Sequence, residues 1–467
     1  MIRSLPVILV SLGAAAGAVG CNRFLMGDKL SENPNRPAAA TRDQLFVGVQ
    51  AFQFAEQESS IPLVVCMWMQ QCTGTGVRFV SVLGSYGVKE TDFSTNFSGV
   101  YTGGGLVDLR SIQRSAQADG DQVYLGVAKT WEALVVGTAA DVWGSIPYTQ
   151  AVASAAQPDT DFQSVVYDSV QALLTQAIGE LGGPGNGPGV NDLIYGGNTT
   201  KWREVANTLK ARFFLHTVEA AANRAAVYDS VVKYASIGIS SPANDFQTYH
   251  SGIPSERNLW FQFFQTTFGS DLVAGKPLVK VMKARNDPRL PQYFGKNTFG
   301  EYGGVDVNNP TTPSDSISVL NGTRNAPDFR QPIITYIENE LILAEAYLFA
   351  TIPNQVQALA HLNNARGAVP LPMLVGIVQP ALFDSVMTEK YISMFQTNEV
   401  WNDYKRTCIP GPIVLTPVSG ASVGDGLIPG RLFYGSDERN VNSHIPEPSA
   451  QGLHPGFRNP NDPNPCP

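Results

Sequence analysis

DFQSVVYDSVQALLTQAIGEL, residues 161–181, is the stretch whose reading decides the fold class. Phe162, Val165, Val166, Val170, Leu173, Leu174, Ala177, Ile178 and Leu181 recur at steps of three and four. That spacing lines one face of an α-helix. Asp159 or Thr160 stands where a cap is needed, and Gly182-Gly183 stands where the helix must stop. Working outward, the same periodicity predicts a helix over 200–221, with Trp202, Val205, Leu209, Phe213 and Val218 on its packing face. Another is predicted over 333–350, with Ile337, Leu341, Ala344 and Leu348. Further helices are expected at 42–70, 122–142, 355–365 and 380–395. The stretches 182–197, 241–258, 286–331 and 414–467 carry no helical period and are rich in Gly, Pro and Asn. Loops of that length inside a compact domain usually carry function. The expected fold is mainly α: helix hairpins of the tetratricopeptide kind, bearing large irregular loop insertions.

Composition bounds the function. The chain has 467 residues, of which 43% are hydrophobic, enough for a large core. Its net charge is −8, from 32 basic and 40 acidic residues, with no run of Lys or Arg. Phosphate-backbone binding needs such a run, so nucleic acid is not expected as a partner. A mildly acidic surface suits a neutral ligand.

The N-terminus reads as a targeting segment. Arg3 supplies a positive start, and residues 5–19 are apolar or small apart from Ser11. That run falls short of the roughly 20 residues a spanning helix needs. Ala18-Val19-Gly20-Cys21 resembles a bacterial lipobox, with Ala18 in place of the usual Leu. Residues 1–20 are thus expected to be a lipoprotein signal, Cys21 the lipidated residue, 21–41 a flexible tether and 42–467 a single domain. Cys66, Cys72, Cys408 and Cys466 remain, an even set that permits disulfides in three connectivities. Cys66 and Cys72 lie six apart, about 240° around a helix, so an unbroken helix could not bridge them.

Six blocks along the chain resemble one family. They are Asp141-Val-Trp143-Gly144-Ser-Ile-Pro147-Tyr148, Lys201-Trp202 with Ala206-Asn207-Thr-Leu209-Lys210-Ala-Arg212, and Asn286-Asp287-Pro288-Arg289-Leu290. Ile334-Thr-Tyr336 with Leu341-Ile-Leu-Ala344-Glu345-Ala346, Glu389-Lys390-Tyr391-Ile392 with Trp401-Asn-Asp403-Tyr404-Lys405-Arg406-Thr407, and Pro429-Gly430-Arg431-Leu432-Phe433-Tyr434 complete the set. In this order they resemble the SusD/RagB family. The resemblance implies a right-handed superhelix of four tetratricopeptide-like helix pairs. It implies a surface-exposed, lipid-anchored protein of the outer membrane that binds oligo- or polysaccharides without cleaving them and passes them to a SusC-like TonB-dependent transporter. Some members take peptides or other nutrients, and a helical interaction scaffold without small ligand is the other alternative. The motif residues themselves read as structure: Arg289, Arg406 and Arg431 can fork onto Asp141, Asp287 or Asp403, and the buried indoles each need one partner.

Sugar binding needs aromatic faces flanked by planar polar groups. Two loops offer them. One spans 85–101 and supplies Tyr86, Asn96 and Tyr101; the other spans 258–265 and supplies Trp260, Phe261 and Gln262, with Phe263 and Phe264 as core or ligand residues. Tyr302 is a further candidate. Catalysis is not expected, because a glycosidase needs two carboxylates across a cleft, and Glu338, Glu340 and Glu345 are neighbours on one helix. No metal-ligand spacing occurs, the oxygens of 306–315 lack calcium-loop spacing, and no cofactor is implied.

Overall fold

The computed structural model describes residues 40–467 apart from 77–78, 80–82, 154–156, 310–313, most of 409–426 and most of 452–467. The expected signal, most of the tether, and Cys21 lie outside the described residues. Leu45–Pro467 is one compact unit.

The longer helices are α1 (Arg42–Glu58), α2 (Ser60–Trp68), α3 (Leu106–Ala118), α4 (Gln122–Trp143), α5 (Gln163–Glu180) and α6 (Thr199–Thr217). They continue as α7 (Arg224–Ala235), α8 (Lys276–Ala284), α9 (Tyr336–Phe349), α10 (Gln355–Gly367), α11 (Ala381–Ser393) and α12 (Glu399–Thr407). Helix α4 is apolar on nearly every side and is buried along most of its length, as an all-round apolar helix must be. Asp121 caps it by accepting from the Tyr124 N–H at 2.9 Å. Gly144 ends it at φ +80°, where a Cβ would lie 2.5 Å from Asn459. Helix α5 runs back along α4: Gln163 donates to the Ala140 carbonyl at 2.9 Å, and Lys129 donates to Gln176 at 2.9 Å. Gly137 lets the Phe213 ring of α6 lie directly on α4, since any Cβ there would meet it at 2.1 Å.

The helix pairs are joined by buried ions. Glu338 of α9 closes a capping box with Thr335 and also takes a two-pronged contact from Arg212 of α6, at 2.6 Å to each oxygen. Glu345 receives Arg406 at 2.6 and 2.9 Å and Lys390 at 2.7 Å, and Asp403 receives both cations at 2.9 Å. Burial alone would raise the Glu345 pKa; Arg406 and Lys390 outweigh it and hold it at about 2. Arg289 forks onto Asp287 at 2.8 and 2.6 Å and reaches Glu389 at 2.9 Å. Arg431 instead donates to the Leu432 carbonyl at 3.3 Å and lies over the Tyr434 ring. Thus Glu338 and Glu345 are structural partners. The motif indoles find acceptors: Trp143 on Phe433 at 3.0 Å, Trp202 on Asp192 at 2.7 Å, Trp401 on Pro429 at 2.8 Å.

Two short antiparallel ladders fasten the loops. Strand β1 (Cys72–Gly74) is followed in the chain by β2 (Phe246–Gln247), β3 (Leu272–Ala274) and β4 (Pro332–Ile334). Strand β1 pairs with β3, Cys72 facing Ala274, and β2 pairs with β4, Phe246 facing Ile334. The second ladder zips together the two ends of residues 246–334, which makes that segment a closed excursion from the helices.

Several local expectations need correction. The helix expected over 42–70 is broken at Ser59, and Pro62 falls in the first turn of α2, where its missing N–H costs nothing. Helix α2 ends at Trp68, and this break lets Cys66 bond Cys72; Cys408 bonds Cys466. Asp159 and Thr160 do not cap α5, whose N-cap is Phe162 without a side-chain bond. Asp161 accepts from the Tyr148 and Thr149 backbones instead, at 3.0 and 2.7 Å. Phe162 is 75% exposed and Val165 is exposed, so the predicted stripe begins one turn later. Helices α3, α7, α8 and α12 fall where none was expected.

Candidate functional site

The structure divides the seven candidate ligand residues. Tyr86 is wholly buried, its ring edge-on to Trp68 at 5.9 Å. Trp260 is 4% exposed and belongs to the core, within a short helix, Leu259–Phe264, where a loop was expected. Asn96 is buried in the helix Ser94–Gly99 and donates to Glu56 at 2.7 Å. These three cannot form the outward platform expected of them. Phe97 explains the first loop: its ring meets Trp143 at 5.1 Å and Tyr434 at 5.7 Å, drawing residues 94–101 inward.

Phe261, Gln262, Tyr302 and Tyr101 are half-buried. Tyr101 leans on Phe97 at 5.5 Å, and burial drives its hydroxyl pKa upward. Arg257 lies over the Phe261 ring at 5.9 Å, and the Arg257 carbonyl takes the Gln262 amide at 2.6 Å. Lys296 lies over the Tyr302 ring at 6.0 Å, and the Tyr302 carbonyl accepts from Lys283 at 3.0 Å. Phe263 and Phe264 pack partly against the core, Phe263 edge-on to Phe79 at 5.9 Å. The structure adds aromatics that the sequence reading missed: Tyr249 is exposed, as are Phe268 and Phe299, the last at 71%. Each sits among Gly, Ser, Thr or Asn, a setting that marks an irregular, solvent-facing backbone.

Asn258 ties this region together. Its side-chain oxygen caps Leu259–Phe264 by accepting from the Phe261 N–H at 3.0 Å. Its backbone N–H donates to Pro327 at 2.8 Å and its amide to Phe329 at 3.2 Å. Glu58, at the end of α1, anchors the same loop by accepting from the Leu259 N–H at 3.1 Å and pairing with His250. The loop is therefore held on a rigid helix end, as a preorganised binding surface requires.

A second cluster has the composition of a metal site: Asp141, His216 and Glu399, all buried. Its atoms are already engaged. Nδ1 of His216 meets Asp141 at 2.7 Å and Nε2 meets Glu399 at 3.0 Å, while Tyr167 donates to Asp141 and Arg212 stands 3.5 Å from Glu399. Burial alone would lower the His216 pKa; Asp141 and Glu399 outweigh it and raise it to about 9. Two carboxylates facing an imidazolium and a guanidinium are neutralised, so this is an ion clasp joining α4, α6 and α12.

Residues 34–368 match the family model described as SusD-like, starch-binding and associating with the outer membrane. The chain belongs to the SusD-like family. Solved structures agree on the fold. A SusD-like protein from Bacteroides thetaiotaomicron superposes with a TM-score of 0.73 at 20% identity, over 90% of this chain and 97% of that one. A chitin-binding SusD homologue from Flavobacterium johnsoniae gives 0.72 at 18% identity, over 90% and 97%. A SusD/RagB family protein from Bacteroides thetaiotaomicron gives 0.68 at 20%, over 87% and 95%. No curated protein matches the chain. The SusD-like fold is mainly helical and tetratricopeptide-like, as the periodicity and the motif blocks implied.

Proposed function

We propose that this SusD-like protein is a non-catalytic glycan-binding lipoprotein, tethered to the outer membrane through Cys21. It hands an oligo- or polysaccharide to a SusC-like TonB-dependent transporter. The observation that carries this reading is the family match over 34–368. The loop excursion 246–334 supports it, because it carries the partly exposed rings Phe261, Tyr302 and Tyr249, and the Phe261-Gln262 pair stands on a helix anchored by Asn258 and Glu58. Phe261, Gln262, Tyr302 and Tyr101 remain the ligand candidates; Tyr86, Trp260 and Asn96 support them from the core. Glu58, Asp287 and Glu389 are engaged in ion pairs rather than facing each other across a cleft, which supports binding without cleavage. A lipid tether at Cys21 would confine the protein to the membrane plane and raise its effective concentration at the transporter.

Affinity electrophoresis against starch, chitin oligosaccharides and plant-wall glycans tests the reading. Retardation by at least one glycan, abolished in a Phe261→Ala, Tyr302→Ala double variant and without reducing-sugar release, is the expected result. Release of reducing ends would replace the passive role with an enzymatic one. Co-purification of a large β-barrel from native membranes, lost after Cys21→Ser, checks the anchor and the transporter together.

A further inference from the structure

The excursion 246–334 differs in charge from the rest of the molecule. It holds nine Lys and Arg against seven Asp and Glu, net +2, in a chain whose total is −8. Three of its arginines lie over aromatic rings around Asn258. Arg257 covers Phe261 at 5.9 Å, Arg324 lies 4.4 Å from the Tyr293 ring and 5.5 Å from Phe329, and Arg330 lies 5.6 Å from the exposed Tyr249. Asn258 holds these pieces as neighbours, through its bonds to Phe261, Pro327 and Phe329.

Among the described residues none of the three arginines forms a carboxylate ion pair. Arg257 donates to the Gly252 carbonyl at 3.3 Å, and Arg330 to the Thr248 and Leu193 carbonyls at 2.7 and 2.9 Å. Carbonyl bonds fix a guanidinium in place and leave its charge uncompensated. Burial, and then the charge of Arg289, hold the Arg324 pKa down against a hydrogen bond with Tyr293, and Asp287 and Glu389, the carboxylates of Arg289, are taken up by its forks. All three arginines are half-buried, which leaves each within reach of solvent. A guanidinium with no carboxylate of its own keeps N–H donors that can take a carboxylate or sulfate two-pronged.

We propose that the Asn258 loop cluster binds the anionic groups of an acidic oligosaccharide, a uronate- or sulfate-bearing chain, with Arg257, Arg324 and Arg330 as the anion-reading side chains. The rings beneath them, Phe261 and Tyr249, offer their remaining faces to the sugar. This rests on the glycan-binding reading above and names its substrate class.

Isothermal titration of the full chain with oligogalacturonate, chondroitin-sulfate oligosaccharide, maltoheptaose and chitohexaose tests it, with phosphatidylglycerol vesicles as a separate arm. Oligogalacturonate or the sulfated chain is expected to bind at least about ten-fold tighter than either neutral glycan, and Arg257→Gln and Arg324→Gln each to lower that affinity about ten-fold. Circular dichroism should stay unchanged, neutral-glycan affinity should fall far less than acidic-glycan affinity, and raising NaCl should weaken the acidic ligand alone. Should Arg324→Gln fail to fold, Arg257→Gln carries the test, since among the described residues that side chain hydrogen-bonds the Gly252 carbonyl of its own loop and no scaffold residue. Equal affinity for acidic and neutral chains, indifferent to both variants, overturns the inference and leaves the glycan reading standing. Binding to the vesicles and to no glycan overturns both.

Discussion

The helical scaffold and the 246–334 excursion treat positive charge in opposite ways. In the scaffold, Arg212, His216, Lys390 and Arg406 are buried, and each meets one or two carboxylates at hydrogen-bonding distance. In the excursion, Arg257, Arg324 and Arg330 stay half-buried and lie on rings. The difference follows from solvation. A charge taken fully out of water must find a counter-charge, because its desolvation costs several kcal/mol. A half-exposed one keeps part of its hydration and can rest on an aromatic face. The root of the excursion obeys the scaffold's rule: Arg289, fully buried, forks onto Asp287 and Glu389 and so ties the excursion to α11. Lys210 and Lys405 are the scaffold's exceptions, buried on carbonyl oxygens and aromatic rings, so carboxylate pairing marks the joints between helices rather than every buried cation.

The largest test of this contrast removes a scaffold anion. Glu345→Ala leaves Lys390 and Arg406 with Asp403 alone, and is expected to cost about 3–5 kcal/mol in urea unfolding, enough to threaten folding. A cost below about 1 kcal/mol would break the claim that these ions hold the helix pairs together.

The His216 clasp gives a pH signature. Its folded pKa is raised from 6.5 to about 9, so its contribution is complete below 6.5 and is lost as pH climbs through about 9. The loss is on the order of 3 kcal/mol, and His216→Gln should flatten it. Glu56 has the same sign in a lower pH window. Burial lifts its pKa from 4.5 to about 7, against the lowering pull of the Asn96 bond, so stability falls as pH rises through that window. Glu56→Gln should remove that slope, and unfolding curves taken from pH 4 to 10 would show either residue out of place.

Loop substitutions should divide stability from binding. Phe261→Ala and Tyr302→Ala each expose a cavity beside a half-buried ring and are expected to cost only about 1 kcal/mol of stability. Glycan affinity should fall about five-fold or more in each. The smallest effect is that of salt on stability: between 0.1 and 0.5 M NaCl the melting temperature should shift by no more than about 2 °C, because the buried pairs are little screened. A larger shift would mean that solvent reaches the scaffold ions.

Much of the scaffold was legible in the chain. Leu209, Phe213, Leu341 and Ala344 all stand at core positions, because a helix has to turn its apolar stripe away from water. The binding face was far less legible. Tyr86 lies among Ser, Gly and Lys much as Tyr302 lies among Glu and Gly, yet the first is core and the second faces solvent in part. Composition records which residues share a loop; it does not record which way a ring turns. Helix Ser94–Gly99 turned its loop inward because Phe97 found Trp143, and Tyr434 far along the chain, an encounter that no local window contains.

The amino-acid order alone determined the helical class, the family and the even set of thiols, because hydrophobic period and motif spacing act over a few turns of chain. The three-dimensional packing decided which aromatics remain outside, which thiols join, and which cations lack a carboxylate. Those outcomes depend on pairs far apart in sequence, such as Glu58 with Leu259 or Arg212 with Glu338, whose meeting is set by how whole helices stack.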